Sequence, residues 1–66
     1  MRSVAERLKR LREEKGLSQQ YVYIDTDINI GKIEVGKTNL TISSLWVLCD
    51  YYGTTLEELF HDIRAE

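Results

Sequence analysis

Three glycines, with no proline in the chain, divide this sequence into short segments whose apolar residues recur at helical spacing. Gly16, Gly36 and Gly53 each follow such a segment, where a residue of positive φ commonly ends a helix. Residues suited to capping a helix N-terminus precede the segments, namely Ser3, Ser18, Thr26, Thr41 and Thr55. The pattern predicts one all-α domain over residues 1–66, with helices over 4–15, 19–25, 27–35, 42–52 and 56–64.

The apolar spacing also predicts which side of each helix is buried. Ile30 and Ile33, three residues apart, indicate the buried face of the third helix. The buried faces predicted for the last two helices comprise Ile42, Leu45, Leu48, Cys49 and Tyr52, then Leu56, Leu59, Phe60 and Ile63.

Two segments resist a purely helical interpretation. Residues 21–24, Tyr-Val-Tyr-Ile, favour a strand by propensity, but a single strand has no partner here for its backbone hydrogen bonds. Gly31 lies inside the predicted third helix, where it costs about 1 kcal/mol relative to alanine. We therefore predict a helix over 19–25 and the close approach of another surface at Gly31.

The charge is distributed unevenly along the 66 residues, whose formal net charge is −2. Residues 1–18 carry six basic and three acidic side chains, whereas residues 40–66 carry one basic and five acidic ones. A basic N-terminal part can face nucleic acid while an acidic C-terminal part faces solvent or a partner. The single cysteine, Cys49, and the lack of an apolar run of membrane-spanning length favour a cytoplasmic protein.

Three motifs follow one another along nearly the whole chain. They are Leu17-Ser18-Gln19, the stretch from Ile30 to Lys37, and the region from Leu45 to Phe60 with its ending Gly53 to Phe60. In order and spacing they resemble the Cro and phage-repressor type of helix-turn-helix protein, also called the xenobiotic-response-element type. The resemblance implies a compact five-helix, lambda-repressor-like domain.

One part of the chain departs from that family's pattern. Between Gln19 and Glu34 it is about three residues shorter than usual, and Tyr23-Ile24-Asp25 replace the small residue and glycine expected in the turn. The resemblance therefore leaves open the angle between the second and third helices.

The family resemblance implies a bacterial or phage transcriptional regulator that binds double-stranded DNA without a cofactor or small-molecule ligand. The third helix would lie in the major groove and read base edges. Lys32 suits guanine or phosphate, Asn29 suits adenine, and Ile28 suits a thymine methyl group, while Asp27 suits cytosine or simply the helix dipole. Gly31 would let the backbone approach DNA.

Phosphate contacts would come from the start of the second helix and from the loop after the third. With them, the candidate DNA-binding residues are Arg12, Gln19, Thr26, Asp27, Ile28, Asn29, Gly31, Lys32, Lys37, Thr38 and Asn39. The resemblance also implies a structural ion pair between Arg12 and Glu34 that leaves Arg12 partly available to phosphate. Ile28 has an alternative role, because a rotated third helix would place it in the core.

Trp46, Val47 and Tyr51 exceed what the fourth helix needs for its buried face. Together with Ile63 they predict a homodimer interface through the last two helices, although a wide buried stripe is the alternative. A dimer would bind an inverted repeat.

No arrangement of side chains suggests catalysis or metal binding. His61 has no second histidine or cysteine at ligand spacing, and Cys49 fits a small core residue better than a nucleophile. The alternative to a DNA-binding regulator is a protein-interaction module of the same fold, antitoxin-like or an adaptor, that acts through the surface of Trp46 and Tyr51.

Overall fold

The computed structural model of the protein describes the backbone of residues 4–64 and the side chains of residues 4–61. These residues form five helices and no strand, which confirms the predicted all-α class. The helices are α1 (Val4–Glu14), α2 (Gln19–Thr26), α3 (Ile30–Glu34), α4 (Ile42–Tyr52) and α5 (Leu56–Arg64). None of the helices described is both long and apolar enough to cross a membrane.

Hydroxyl side chains cap three of the helices at the predicted residues. The oxygens of Ser18, Thr41 and Thr55 each accept a hydrogen bond from the backbone N–H three residues later, at 3.0, 3.1 and 3.0 Å. These bonds satisfy donors that a helix N-terminus otherwise leaves unpaired. The predicted cap Ser3 lies outside the described residues.

The helix ends at Gly16, Gly36 and Gly53 all require positive φ, which is 67°, 73° and 71° respectively. At Gly36, the chain reverses so that the N–H of Lys37 donates to the carbonyl of Lys32 at 2.9 Å. This bond satisfies a carbonyl at the end of α3 and fixes the direction in which the next loop leaves it.

The start of α3 differs from the prediction. Thr26 does not cap this helix but ends α2, and its hydroxyl donates to the carbonyl of Val22 at 2.7 Å. Asp27 then adopts a left-handed conformation with φ of 61°, and Asn29 caps α3 by accepting from the N–H of Lys32 at 3.3 Å. The turn therefore takes up residues 27–29, and α3 begins three residues later than expected.

The core lies where α1 meets α3, α4 and α5, with α2 packed on α3 and α4. Ile30 and Ile33 are buried in it, as their spacing predicts, and so are Cys49 and Tyr52. Among the side chains that the structure describes, the cluster of buried apolar residues is Leu8, Leu11, Val22, Ile30, Ile33, Leu45, Leu48, Cys49, Tyr52 and Leu59. It fixes which face of α3 is turned away from solvent.

Two residues assigned to buried faces are exposed instead. Ile42 is 74% exposed because it is the first residue of α4, where side chains tilt toward the helix N-terminus and extend past the core. Phe60 is exposed beside the buried Leu59. The side chain of Ile63 lies outside the described residues.

Candidate nucleic-acid interface

Helix α3 has one buried side and one exposed side. Ile30 and Ile33 anchor its inner side, so Lys32 and Val35 lie on the outer side and are exposed. Asn29 is exposed at the start of the helix, although its side-chain oxygen is occupied by the capping hydrogen bond. A cation, an amide and a small apolar group thus lie within about two helical turns of one another.

A buried ion pair holds α3 against α1. Arg12 Nε donates to Glu34 Oε2 at 2.7 Å, and Arg12 Nη2 donates to Glu34 Oε1 at 3.1 Å. Only 10% of the Arg12 side chain and 2% of the Glu34 side chain are exposed. The hydrogen bond to Glu34 raises the pKa of Arg12 further above its usual value. The pair that the family resemblance implies is therefore present.

The structure does not offer Arg12 to a phosphate, in contrast to the sequence-based expectation. Its Nη1 donates to the backbone carbonyl of Leu17 at 2.7 Å, so all three guanidinium nitrogens are bound within the protein. Because the side chain is both buried and neutralised, Arg12 positions α3 and is not itself presented at the surface.

Gln19 joins α2 to the same carboxylate. Its Nε2 donates to Glu34 Oε1 at 2.9 Å, and its side-chain Oε1 would lie 3.2 Å from a Cβ added at Gly31. The close approach predicted at Gly31 is therefore an approach by Gln19, within this chain. The absence of a side chain at Gly31 lets the end of Gln19 lie over α3, where one amide hydrogen remains for an external acceptor.

Thr26 at the end of α2 and the turn residues Asp27 and Ile28 have three different environments. Asp27 is exposed, whereas Thr26 is half-buried and uses its hydroxyl in local hydrogen bonds. Ile28 is half-buried and packs against the core cluster, which corresponds to its alternative role in the sequence interpretation. Thr26 and Ile28 are therefore positioned to support the turn.

The loop after α3 supplies exposed polar groups next to this helix. Lys37, Thr38 and Asn39 are all exposed, and the backbone hydrogen bond from Lys37 to Lys32 ties the start of the loop to α3. Cationic and hydroxyl side chains of this kind are common ligands of DNA phosphates.

A protein-family model described as helix-turn-helix matches residues 8–59, which is well over half of the chain. The chain belongs to the helix-turn-helix family of the Cro and phage-repressor type. The family is one of DNA-binding regulators, and α2 and α3 are the two helices of its motif. No curated protein and no solved structure matched this chain.

Val35 is a surface residue of this helix-turn-helix protein that the sequence analysis did not consider. It is 64% exposed, follows Glu34 directly and forms the C-cap of α3. The motif from Ile30 to Lys37 contains it, but the spacing of the apolar residues alone predicts only the buried face of the helix. The signal that identifies it is the helical step, since Val35 is about 170° from the mean direction of Ile30 and Ile33.

A second exposed surface lies on α4, away from the helix-turn-helix motif. Trp46 is 66% exposed and borders a groove of about 280 Å³ with Cys49, Asp50, Thr54, Thr55 and Leu56. Val47 is also exposed. This groove separates α4 from the start of α5.

Tyr51 does not belong to the same surface as Trp46. The two residues are about 140° apart around α4, and the hydroxyl of Tyr51 donates to Asp25 Oδ2 of α2 at 2.7 Å. This hydrogen bond raises the pKa of Tyr51 to about 12. Tyr51 therefore ties α4 to α2, and the homodimer interface of Trp46, Val47, Tyr51 and Ile63 stays a prediction.

Neither His61 nor Cys49 shows a catalytic environment. His61 is exposed on α5, and burial raises the pKa of the Cys49 thiol, which disfavours the reactive thiolate.

Proposed function

We propose that this protein is a sequence-specific regulator that reads the major groove with α3 and binds an inverted repeat as a homodimer. The observation that carries the proposal is the exposed side of α3, where Lys32 points away from the buried isoleucines and Asn29 is exposed at the start of the helix. A helix of 10–12 Å diameter fits a major groove about 12 Å wide.

Rigid positioning of α3 supports this function. Base readout depends on side chains held within a fraction of an ångström of their hydrogen-bonding geometry. Arg12 and Gln19 both bind Glu34, so α1 and α2 constrain the last residue of α3 while Asn29 caps its start. The short helix is thus fixed at both ends.

Local charge also supports the proposal despite the acidic chain as a whole. Between residues 28 and 39 the sequence contains two lysines, Lys32 and Lys37, and one carboxylate, Glu34. Glu34 is neutralised by Arg12. The surface around α3 is therefore positive apart from Asp27, as phosphate binding requires.

The small number of exposed cations on α3 and in the loop after it favours a dimer. Lys32 and Lys37 supply about two phosphate contacts per copy, which corresponds to a slope of about −2 for log affinity against log salt concentration. A single copy would bind weakly at physiological salt, and two linked copies raise the affinity through effective concentration.

The surface that we assign to the second copy is the side of α4 that carries Trp46. An exposed Trp46 ring beside an open groove places a protrusion and a recess on one face, which is what a twofold-symmetric contact needs. Ile42 lies one turn before Trp46 on α4 and is also exposed. We leave Tyr51 out of this interface because Asp25 binds it.

A fluorescence-anisotropy titration over a salt series tests the DNA-binding function, with duplexes selected from a random library. Wild-type protein should bind the selected duplex with affinity that falls as salt rises, and Lys32→Glu should weaken binding about tenfold or more. Lys15→Glu makes the same charge change at the end of α1 and should have a much smaller effect. Folded wild-type protein that binds no duplex in a salt-dependent way would refute the proposal.

Sedimentation equilibrium tests the homodimer separately. Wild-type protein should self-associate, and Trp46→Glu should shift it toward monomer. Ile24→Glu, an equally drastic change at an exposed residue of α2, serves as the matched control and should leave the dimer intact. A wild-type protein that stays monomeric both free and on its inverted repeat, or a copurifying partner that Trp46→Glu displaces, would favour the protein-interaction module instead.

A further inference from the structure

Val35 is the most exposed apolar side chain on α3, and it lies beside the cation of that helix. Its N–H still donates to the carbonyl of Gly31 at 3.3 Å, so the residue continues the helical path although it is the C-cap. It is 64% exposed, while Ile30 and Ile33 of the same helix are almost completely buried. The side chain therefore leaves the helix on its outer side.

The turn before Val35 determines what surrounds its side chain. Side chains on a helix lie over the preceding turn, and the residue four positions earlier is Gly31, which has no side chain. The amide end of Gln19 lies over Gly31 instead, and Val35 still keeps 64% of its surface exposed. Lys32, three positions before Val35, is its charged neighbour on the outer side.

The major groove contains one kind of apolar group that such a side chain can contact. Every base pair presents hydrogen-bond donors or acceptors there, but only the C5 position of a pyrimidine carries a methyl group, in thymine or in 5-methylcytosine. A β-branched side chain without polar atoms makes no hydrogen bond to the other base edges, so burial against a methyl group is its favourable contact.

We propose that Val35 is a specificity-determining residue whose methyl groups contact the C5-methyl group of one pyrimidine in each half-site. The inference rests on the proposed function, because it requires the outer side of α3 to lie in the major groove. It assigns the discrimination at one base pair to an apolar contact, whereas Lys32 and Asn29 act through hydrogen bonds.

The test measures binding to duplexes that differ by a single methyl group. Each thymine of the selected site is replaced in turn by uracil, and affinities are measured by anisotropy at fixed salt. For wild-type protein, one position per half-site should weaken binding about fourfold when its methyl group is removed. Val35→Ala should lose most of this discrimination. A duplex with 5-methylcytosine at that position should bind wild-type protein more tightly than a duplex with cytosine there, because 5-methylcytosine carries the same C5-methyl group as thymine.

Val47→Ala is the matched control, because it removes the same atoms from an exposed valine on α4. It should keep the preference for thymine over uracil whatever its effect on overall affinity. The inference is overturned if uracil is tolerated at every position, or if Val35→Ala discriminates as strongly as wild-type protein. Either result leaves DNA binding itself intact, whereas failure to bind any duplex refutes the proposed function as well.

Discussion

Arg12 and Glu34 are the residues on which the orientation of α3 relative to α1 depends. Their side chains are almost completely buried, and the guanidinium is bound by one carboxylate and one backbone carbonyl. A buried pair of this kind stabilises little compared with an apolar pair, but the loss of one partner leaves a charge without compensation.

Glu34→Gln should therefore lower the free energy of unfolding by about 3 kcal/mol, which approaches the whole stability that a core of this size provides. Urea denaturation followed by circular dichroism measures the change. Glu57→Gln, at an exposed residue of α5, is the control and should alter stability by less than about 0.5 kcal/mol. An equal effect of the two substitutions would contradict the role assigned to Glu34.

Tyr52 is buried with a hydroxyl group that has no hydrogen-bond partner among the described residues. Burial, followed by the nearby negative charge of Glu34, raises its pKa from 10 to about 12. The raised pKa means that folding favours the neutral phenol. The stabilisation of the folded state over the unfolded chain that results from this pKa difference is fully present below pH 10 and is lost as the pH rises toward 12.

Tyr52→Phe should raise the free energy of unfolding at pH 7 by about 1 kcal/mol, because it removes an unsatisfied buried polar group. It should also flatten the fall in stability between pH 10 and pH 12. Denaturation curves at pH 7, 10 and 11.5 measure both effects. A destabilised variant at pH 7 would mean that the hydroxyl is hydrogen-bonded after all.

The helix N-termini show which helix boundaries local sequence determines and which depend on tertiary structure, as at the start of α3. The caps at Ser18, Thr41 and Thr55 were predictable because each depends only on the next three residues. The start of α3 was not, since Thr26 and Asn29 are both good capping residues. Thr26 is committed to α2 by its hydrogen bond to Val22, whose complete burial depends on the whole core.

Asn29 has two roles at the start of α3 that substitution can separate. Asn29→Asp keeps an oxygen that caps the helix, so stability should be retained, but its negative charge should weaken DNA binding about tenfold. Asn29→Ala should lower the free energy of unfolding by about 1 kcal/mol. Denaturation and anisotropy on the same samples measure the two effects. Retention of full DNA affinity by Asn29→Asp would remove Asn29 from the interface.

At the scale of the whole molecule, the apolar faces of α4 show the limit of sequence periodicity. Leu45, Leu48 and Tyr52 were correctly placed in the core, whereas Ile42 is exposed because it lies beyond the core edge. Periodicity also does not show that Trp46 and Tyr51 differ in their contacts. The hydroxyl of Tyr51 is hydrogen-bonded to Asp25 of another helix, α2. Only the packing of α2 on α4 distinguishes the two.

The overall dimensions fit the proposed arrangement on DNA. The molecule measures 32 × 24 × 21 Å, and half-sites of an inverted repeat read by such motifs are about 34 Å apart. Two copies in contact can therefore present their α3 helices to successive turns of one face of the duplex.

The most direct test of this account is a residue-by-residue NMR titration of the labelled protein with its selected duplex. We predict that the largest changes in amide chemical shift occur at Gln19, from Asn29 to Val35, and from Lys37 to Asn39, while Glu57, Glu58 and His61 of α5 change little. Saturation of binding with unchanged shifts in α3 and large shifts on α5 would contradict the claim that α3 reads the groove.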